Sequence, residues 1–517
     1  MVNQLYKVKE FFKPNFKKKI KILNIKDKDL NNVLKQNLNF LYIKEINIEG
    51  SITEKQNYIN TISTLLEKTK NLEILKIYWN ILSEFPLEIG NLNNLKCLYL
   101  QCNYITELPK EIGNLTNLTK LDLQYNKLTN LPREIGNLTN LIELNLYYNN
   151  ITELPIEIGN LTKLTNLDVH GNKLIEVPKA IGNLVQLINL NLGNNQLTYL
   201  PEEVGNLIYL KNLILAENNL IELFKTVGNL INIKILNIEK NKFNEITKRN
   251  WKFNQITSNL THLTLLLLCN NNLIELPIEI GELTNLIEIN LQNNELMTLP
   301  SEIGRLINLK KLNIRNNELS ILPNEIGNMT NLIKLNLQEN NLMTIPKSIG
   351  NLIKLEQLTL DNHLSIEHFL HNDSADDDDI TTLDLSHKNL IEIPHDIFIL
   401  ETLEVLNVSN NHITEITPFL SRLHHLKKIE MQTNPLRILP AFLWQFPNLQ
   451  EVIIDGYFLI SIPKEIKLDQ IIIESLTTSN SIIIETVIQL LFAGKNKHPW
   501  DHSIIYRMIN FCHIFIK

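Results

Sequence analysis

The sequence has little of what most functional classes require. Its four cysteines, Cys97, Cys102, Cys269 and Cys512, are too few and too scattered among 517 residues for a disulfide framework, which points to a reducing compartment. No run approaches the roughly 18 uncharged apolar residues that span a bilayer; even IIIETVIQLLFAG carries Glu485. The opening MVNQLYKVKEFFKPNFKKK has no apolar segment of the kind a secretion signal needs. A soluble, intracellular, cytoplasmic protein without a transmembrane segment is therefore expected, and the NxS/T triplets, such as Asn114-Leu115-Thr116, are not expected to carry glycans.

Chemistry is equally scarce. FAGKNKHPW has no earlier glycine at phosphate-loop spacing, and Asn496 follows Lys495 where a serine or threonine would bind magnesium. Cys512 and His513 are neighbours in sequence, which does not make a thiol and a base that reach each other in space. His368 and His371 lack a second ligand pair at zinc spacing. The stretch HNDSADDDD, residues 371–379, has consecutive aspartates and no glycine, where a calcium loop needs alternating acids and a central glycine. No catalytic residue, metal site or cofactor is expected. The net charge of -7 argues against nucleic acid as a partner. It is unevenly spread: residues 1–50 hold 11 lysines against 5 acids, a basic end that reads as a solvated cap, with contact to anionic lipid or a nuclear signal as alternatives.

What the chain has is repetition. The unit LKCLYLQCNYITELPKEIGNLTNL, Leu95 to Leu118, returns every 23 residues as LxxLxLxxNxLxxLPxEIGNLxNL, a period that marks stacked repeats. Its asparagine falls at Asn80, Asn103, Asn126, Asn149, Asn172, Asn195, Asn218 and Asn241, then at Asn271, Asn294, Asn317 and Asn340, and again at Asn411 and Asn434. Lys28, Ser51, His363, Lys388 and Tyr457 hold the same phase without it. The alternation LxLxxN predicts a short strand, with Leu121 and Leu123 inward and Lys120, Asp122 and Gln124 outward. The asparagine amide then serves backbone groups of the turn, giving a structural ladder. Thirteen of 18 prolines stand six residues after the asparagine phase, where no backbone donor is needed. Eleven of 16 glycines stand ten residues after it, implying positive φ or close backbone approach.

These residues resemble the leucine-rich repeat family over roughly residues 70–470, and LPxEIGNLxxLxxLxL is similar to its intracellular Ras-group branch in plants and the Ras-suppressor-like proteins of animals. The resemblance implies an α/β solenoid, a horseshoe with one long parallel sheet on the concave face and short helices, 3-10 turns and loops on the convex face. It also implies protein binding on that sheet. Neither end carries the clustered cysteines with which secreted members cap their cores.

Residues 1–70 read as a basic N-terminal cap with two degenerate repeats, 71–470 as the solenoid and 471–517 as a C-terminal cap or tail. Within the solenoid, blocks 71–246, 257–370 and 380–470 are separated by inserts near 247–256 and 371–379. The spacing of 29 from Ser51 to Asn80 predicts an added helix in QNYINTISTLLEKTKNL. Trp251, among Lys248, Arg249 and Lys252, packs under a longer helix or binds an acidic partner; the acidic stretch reads as a solvated loop.

One face stands out. The outward positions of the first block are Tyr78, Trp79, Tyr99, Gln101, Tyr125, Tyr147, Tyr148 and His170, six of the eight Tyr or Trp in a chain only 7% Phe, Trp and Tyr, with the His170 ring as a seventh aromatic. With strands about 4.8 Å apart they are expected to form one continuous protein-binding patch, edged by Lys76, Asp122 and Asp168. Beyond it, Asn191, Asn237, Asn290, Asn313 and Asn336 read as a wetter, less specific face. The expected function is a non-enzymatic scaffold for a protein partner, in small-GTPase-type signal transduction by resemblance. The alternatives are an effector or ubiquitin-ligase substrate receptor that recruits an enzyme, or a host-directed protein of a parasite or giant virus, prompted by the Asn, Ile and Lys bias.

Overall fold

The computed structural model describes residues 21–26, 30–35, 40–49, 56–221, 225–243, 260–343, 345–361, 381–454 and 471–473. Lys28, Ser51, His363 and Tyr457, the Trp251 insert, the acidic stretch and Cys512 lie outside them. The chain forms two compact units, Met1–Leu296 and Met297–Lys517.

In the first unit, β1 (Ile22–Lys26) is followed by α1 (Leu30–Leu34), β2 (Glu45–Glu49), α2 (Gln56–Lys68) and β3 (Ile74–Tyr78). Three-residue strands then recur at the sequence period: β4 (Cys97–Tyr99), β5 (Lys120–Asp122), β6 (Glu143–Asn145), β7 (Asn166–Asp168), β8 (Asn189–Asn191), β9 (Asn212–Ile214) and β10 (Ile235–Asn237), with β11 (Leu265–Leu267) and β12 (Glu288–Asn290) after the longer spacing. Each strand pairs in parallel with the next, in a register that sets Leu98 beside Leu121 and Leu121 beside Leu144. The helix expected before Asn80 is α2; it buries Ile62, Leu65 and Leu66 and packs on the 3-10 turn Leu87–Asn91.

The second unit holds two runs of parallel strands: β13 (Lys311–Asn313), β14 (Lys334–Asn336) and β15 (Gln357–Thr359), then, in a separate five-stranded sheet, β16 (Thr382–Asp384), β17 (Val405–Asn407), β18 (Lys428–Glu430), β19 (Glu451–Ile454) and β20 (Ile471–Ile473). Among the described residues no helix is long and apolar enough to cross a membrane.

The leucines do what their spacing demands. Leu95, Leu98, Leu100, Ile105, Ile112 and Leu115 are all fully buried, each burial contributing about 1.5–3 kcal/mol of hydrophobic stabilisation. Opposite most strands, proline fixes an extended residue and its carbonyl accepts the first bond of a 3-10 turn, as in Ile112 N–H to Pro109 O at 3.0 Å; before Pro418–Arg422 the residue is Thr417. Glycine in that turn answers to close approach and not to φ: a Cβ on Gly113 would lie 2.6 Å from the carbonyl oxygen of Glu134 in the next repeat.

The asparagine ladder is present and joins neighbouring repeats. Asn149 is 8% exposed. Its amide donates to Leu146 O in its own repeat (3.1 Å) and to Leu123 O in the preceding one (3.0 Å), while its Oδ1 accepts the Leu128 N–H at 3.0 Å. Asn149→Ala leaves the buried Leu128 N–H unpaired, while Leu123 O and Leu146 O keep the amides of Asn126 and Asn172, so thermal or urea melts should show a loss of about 1–3 kcal/mol. Lys388→Ala is the control. At that position the backbone N–H donates to Asn411 Oδ1 at 3.0 Å, and the exposed side chain makes no hydrogen bond or ion pair among the described residues beyond an electrostatic influence on Asp384, so the melt should scarcely move; equal losses in the two variants would remove the ladder's role.

Candidate interaction surface

The outward residues of β3 to β7 stand in rows fixed by their distance from the ladder asparagine. Tyr99 is four positions before it; Tyr78, Gln101, Tyr147 and His170 are two before; Trp79, Tyr125 and Tyr148 are one before. The last row lies where each strand turns, and its backbone is left-handed: φ is 59° at Trp79, 52° at Tyr125 and 51° at Tyr148. Such φ values cost non-glycine residues of order 1 kcal/mol or more. The strain marks no special site, because Cys102, Asn194, Glu217 and Lys240 adopt the same conformation in other repeats.

Four of the eight residues form one cluster. Tyr125 stacks on Tyr148, with centroids 5.4 Å apart and planes at 10°, and Tyr147 stacks on His170 at 5.0 Å and 14°. Tyr147 also meets Tyr125 and Tyr148 edge-on, at 5.3 and 4.6 Å. Each such pair is worth about 0.5–1.5 kcal/mol beyond its buried area, so the rings are held in place before any partner arrives. Glycines in the following repeats make room for them. A Cβ on Gly171 would sit 3.1 Å from the Tyr148 ring, and one on Gly193 would sit 2.7 Å from His170 Nδ1. Tyr125 and Tyr148 remain exposed, and burial by its neighbours, followed by a hydrogen bond with Tyr125, pushes the Tyr147 hydroxyl pKa up.

The rings do not form the single patch that strand spacing predicts. Gln101 and Cys102 occupy the rows between Tyr78 and Trp79 and the cluster, and among the described residues no ring contact bridges that gap. Trp79 is 67% exposed and stands apart. Tyr99 lies between two cations, Lys76 and Lys120, each with Nζ 5.8 Å from its ring centroid. Those lysines are paired in turn: Lys76 with Glu45 at 2.8 Å, and Lys120 with Glu143. Glu73 holds both Lys44 and Lys96 at 2.9 Å, and these bonds lower its carboxyl to about 2. Burial, and then Asp122, raises the thiol pKa of Cys102, which disfavours the thiolate.

The acids and asparagines four positions before the ladder also differ from what their outward register predicts. Asp122 was expected to face water, yet it is buried, and that burial raises its carboxyl pKa against the Gln124 N–H it accepts at 3.2 Å. Asp168 Oδ1 accepts the His170 N–H at 3.0 Å, and Asn145, Asn191, Asn237, Asn290, Asn313 and Asn336 accept the N–H two residues on in the same way. The row expected to be a wet face therefore terminates the strands. Its signal was in the sequence: Asn or Asp two residues before a position needing a turn is an Asx turn.

Comparison with known proteins follows the same repeat. A profile described as a leucine-rich repeat region matches residues 20–148, 144–252 and 246–374, and a single leucine-rich repeat matches 402–423. The chain belongs to the leucine-rich repeat family. A leucine-rich repeat protein of Leptospira interrogans is 31% identical, aligned over 83% of this chain and 99% of its own, with a TM-score of 0.57. The plant peptide hormone receptor RGFR1, solved in complex with RGF2, is 25% identical over 84% of this chain and 75% of its own, with a TM-score of 0.53. The TDR receptor shares the fold at 23% identity, covering 84% and 88%, with a TM-score of 0.50. A search of curated proteins returns no match. Leucine-rich repeats are in general protein-interaction scaffolds, and in this one the ring cluster lies on the strand face of β5 to β7.

Proposed function

We propose that this leucine-rich repeat chain is a non-catalytic scaffold whose protein partner docks on the strand face at Tyr125, Tyr147, Tyr148 and His170, with Tyr78, Trp79, Tyr99 and Gln101 at its margin. The observation that carries the reading is the four-ring cluster, held by mutual stacking and seated on glycines. Rigid, partly exposed tyrosines bury large area at small entropic cost. The plant receptor solved with RGF2 supports a peptide or protein as the ligand class. The likeness of the LPxEIGNL unit to the Ras-group branch supports a place in intracellular small-GTPase-type signalling. Hydroxyl-radical footprinting of the complex tests the docking site. With a purified partner bound, oxidation of Tyr125 and Tyr148 should fall several-fold, while Tyr199 and Tyr209, exposed in loops off the strand face, should be unchanged. Protection of the loop tyrosines alone would reject the reading.

A further inference from the structure

In the second unit, on the side of the 3-10 turns, a cleft of about 490 Å3 lies between Ile353, which follows the turn Lys347–Asn351, and the turns His395–Ile399 and Pro418–Arg422. Arg422 ends the last of these turns, and its guanidinium carbon lies 4.0 Å over the ring of Phe398. This stacking pins the planar fork, and its Nη1 is buried without a hydrogen-bond partner among the described residues. Glu401 and Glu356 are within electrostatic reach, yet among the described residues neither forms an ion pair with Arg422. A buried, unpaired donor on a charged group is costly, and an arginine fork matches a carboxylate in two parallel bonds. His424 and His425 bring further imidazole nitrogens to the same cleft, and Ile353, exposed to water, supplies an apolar wall with Phe398. Ser421 adds no donor, because its hydroxyl already donates to Pro418 O at 2.7 Å. Glu401, exposed in the lining, opposes any anion that approaches the fork.

We propose that this cleft binds the carboxylate side chains of an acidic peptide segment from a partner protein, at a site distinct from the aromatic cluster. The test is calorimetric titration of the full chain with N-acetyl tetra-aspartate amide, with N-acetyl tetra-asparagine amide and inorganic phosphate as companion probes. Tetra-aspartate should bind and tetra-asparagine should not. Arg422→Gln should weaken binding about tenfold, the scale of one charge-assisted hydrogen bond. Glu401→Gln, at an exposed position, should tighten it about twofold or more by removing a like charge; this keeps the proposal open to refutation if Arg422→Gln melts early. No binding by the unmodified chain, unchanged affinity in a folded Arg422→Gln variant, or tighter binding of phosphate would each overturn the proposal. The titration is repeated with Asp376, Asp377, Asp378 and Asp379 all replaced by Asn. Binding seen only in that variant would overturn a partner peptide in favour of the chain's own acidic run.

Discussion

Leu144→Asp should unfold the repeats around β6 at temperatures well below the melting point of the unmodified protein. Leu144 is 1% exposed and lies between Leu121 and Leu167 in register, so the change removes a packed side chain and places a carboxyl among leucines. Lost burial alone costs about 2–5 kcal/mol, and an unpaired buried charge adds to it. The pH dependence follows from the direction of the shift. Burial raises the folded-state pKa of the new carboxyl above its unfolded value of about 3.9. The charge penalty is therefore absent below that value, grows as pH rises through it, and levels off once the folded-state pKa is passed. Melts from pH 3 to 8, taken as the difference from the unmodified protein to cancel the native carboxylates, should show the deficit smallest in acid. A variant that melts within a degree of wild type at pH 7 would mean that the strand register is wrong.

The second large effect should be on binding. The triple variant Tyr125→Asn, Tyr147→Gln, Tyr148→Asn replaces the ring cluster with residues this chain itself uses at the same places. Asn194, Asn270, Asn293 and Asn316 hold the left-handed position, and Gln101, Gln124, Gln292 and Gln338 hold the one before it. Asparagine tolerates the left-handed backbone better than tyrosine, so the fold should lose little more than the ring-ring contacts. Partner affinity should fall by at least about 2 kcal/mol, roughly 30-fold in Kd, the scale of hot-spot residues. Gln338→Ala, at the equivalent position of a repeat in the second unit, should leave affinity unchanged. Wild-type affinity in the triple variant would move the search to Trp79 and Tyr99.

Strand positions, buried leucines, ladder asparagines, the prolines before each turn and helix α2 were all legible in the sequence, because each depends on contacts repeated at a fixed spacing. The departures have one cause. The rows of outward residues mix residue types, so a rule for a row is hidden by its exceptions. The left-handed position is Trp at 79, Cys at 102, Tyr at 125 and Gly at 171, and no single one of these announces its conformation. The strand-end acceptors read as solvent-facing because Asp168 and Asn191 serve bonds two residues along their own chain, which spacing between repeats does not show. The aromatic patch was overextended because strand spacing gives distance between neighbours, whereas ring contact also requires the same row or the adjacent one. Tyr78 and Tyr147 share a row with Gln101 and Gln124 standing between them.

The ladder also has a direction. Asn126, Asn149, Asn172 and Asn195 each accept an N–H that belongs to the repeat before them: Ile105, Leu128, Ile151 and Leu174. Their amides retain an acceptor inside their own repeat, at Leu123, Leu146, Val169 and Leu192. Taking away an earlier repeat removes one of several acceptors, but taking away a later one strands a buried donor. The two cut ends of any excised stretch of the first unit are thus unequal. A piece meant to stand alone should carry, at its C-terminal end, the asparagine of one repeat beyond those it is meant to preserve.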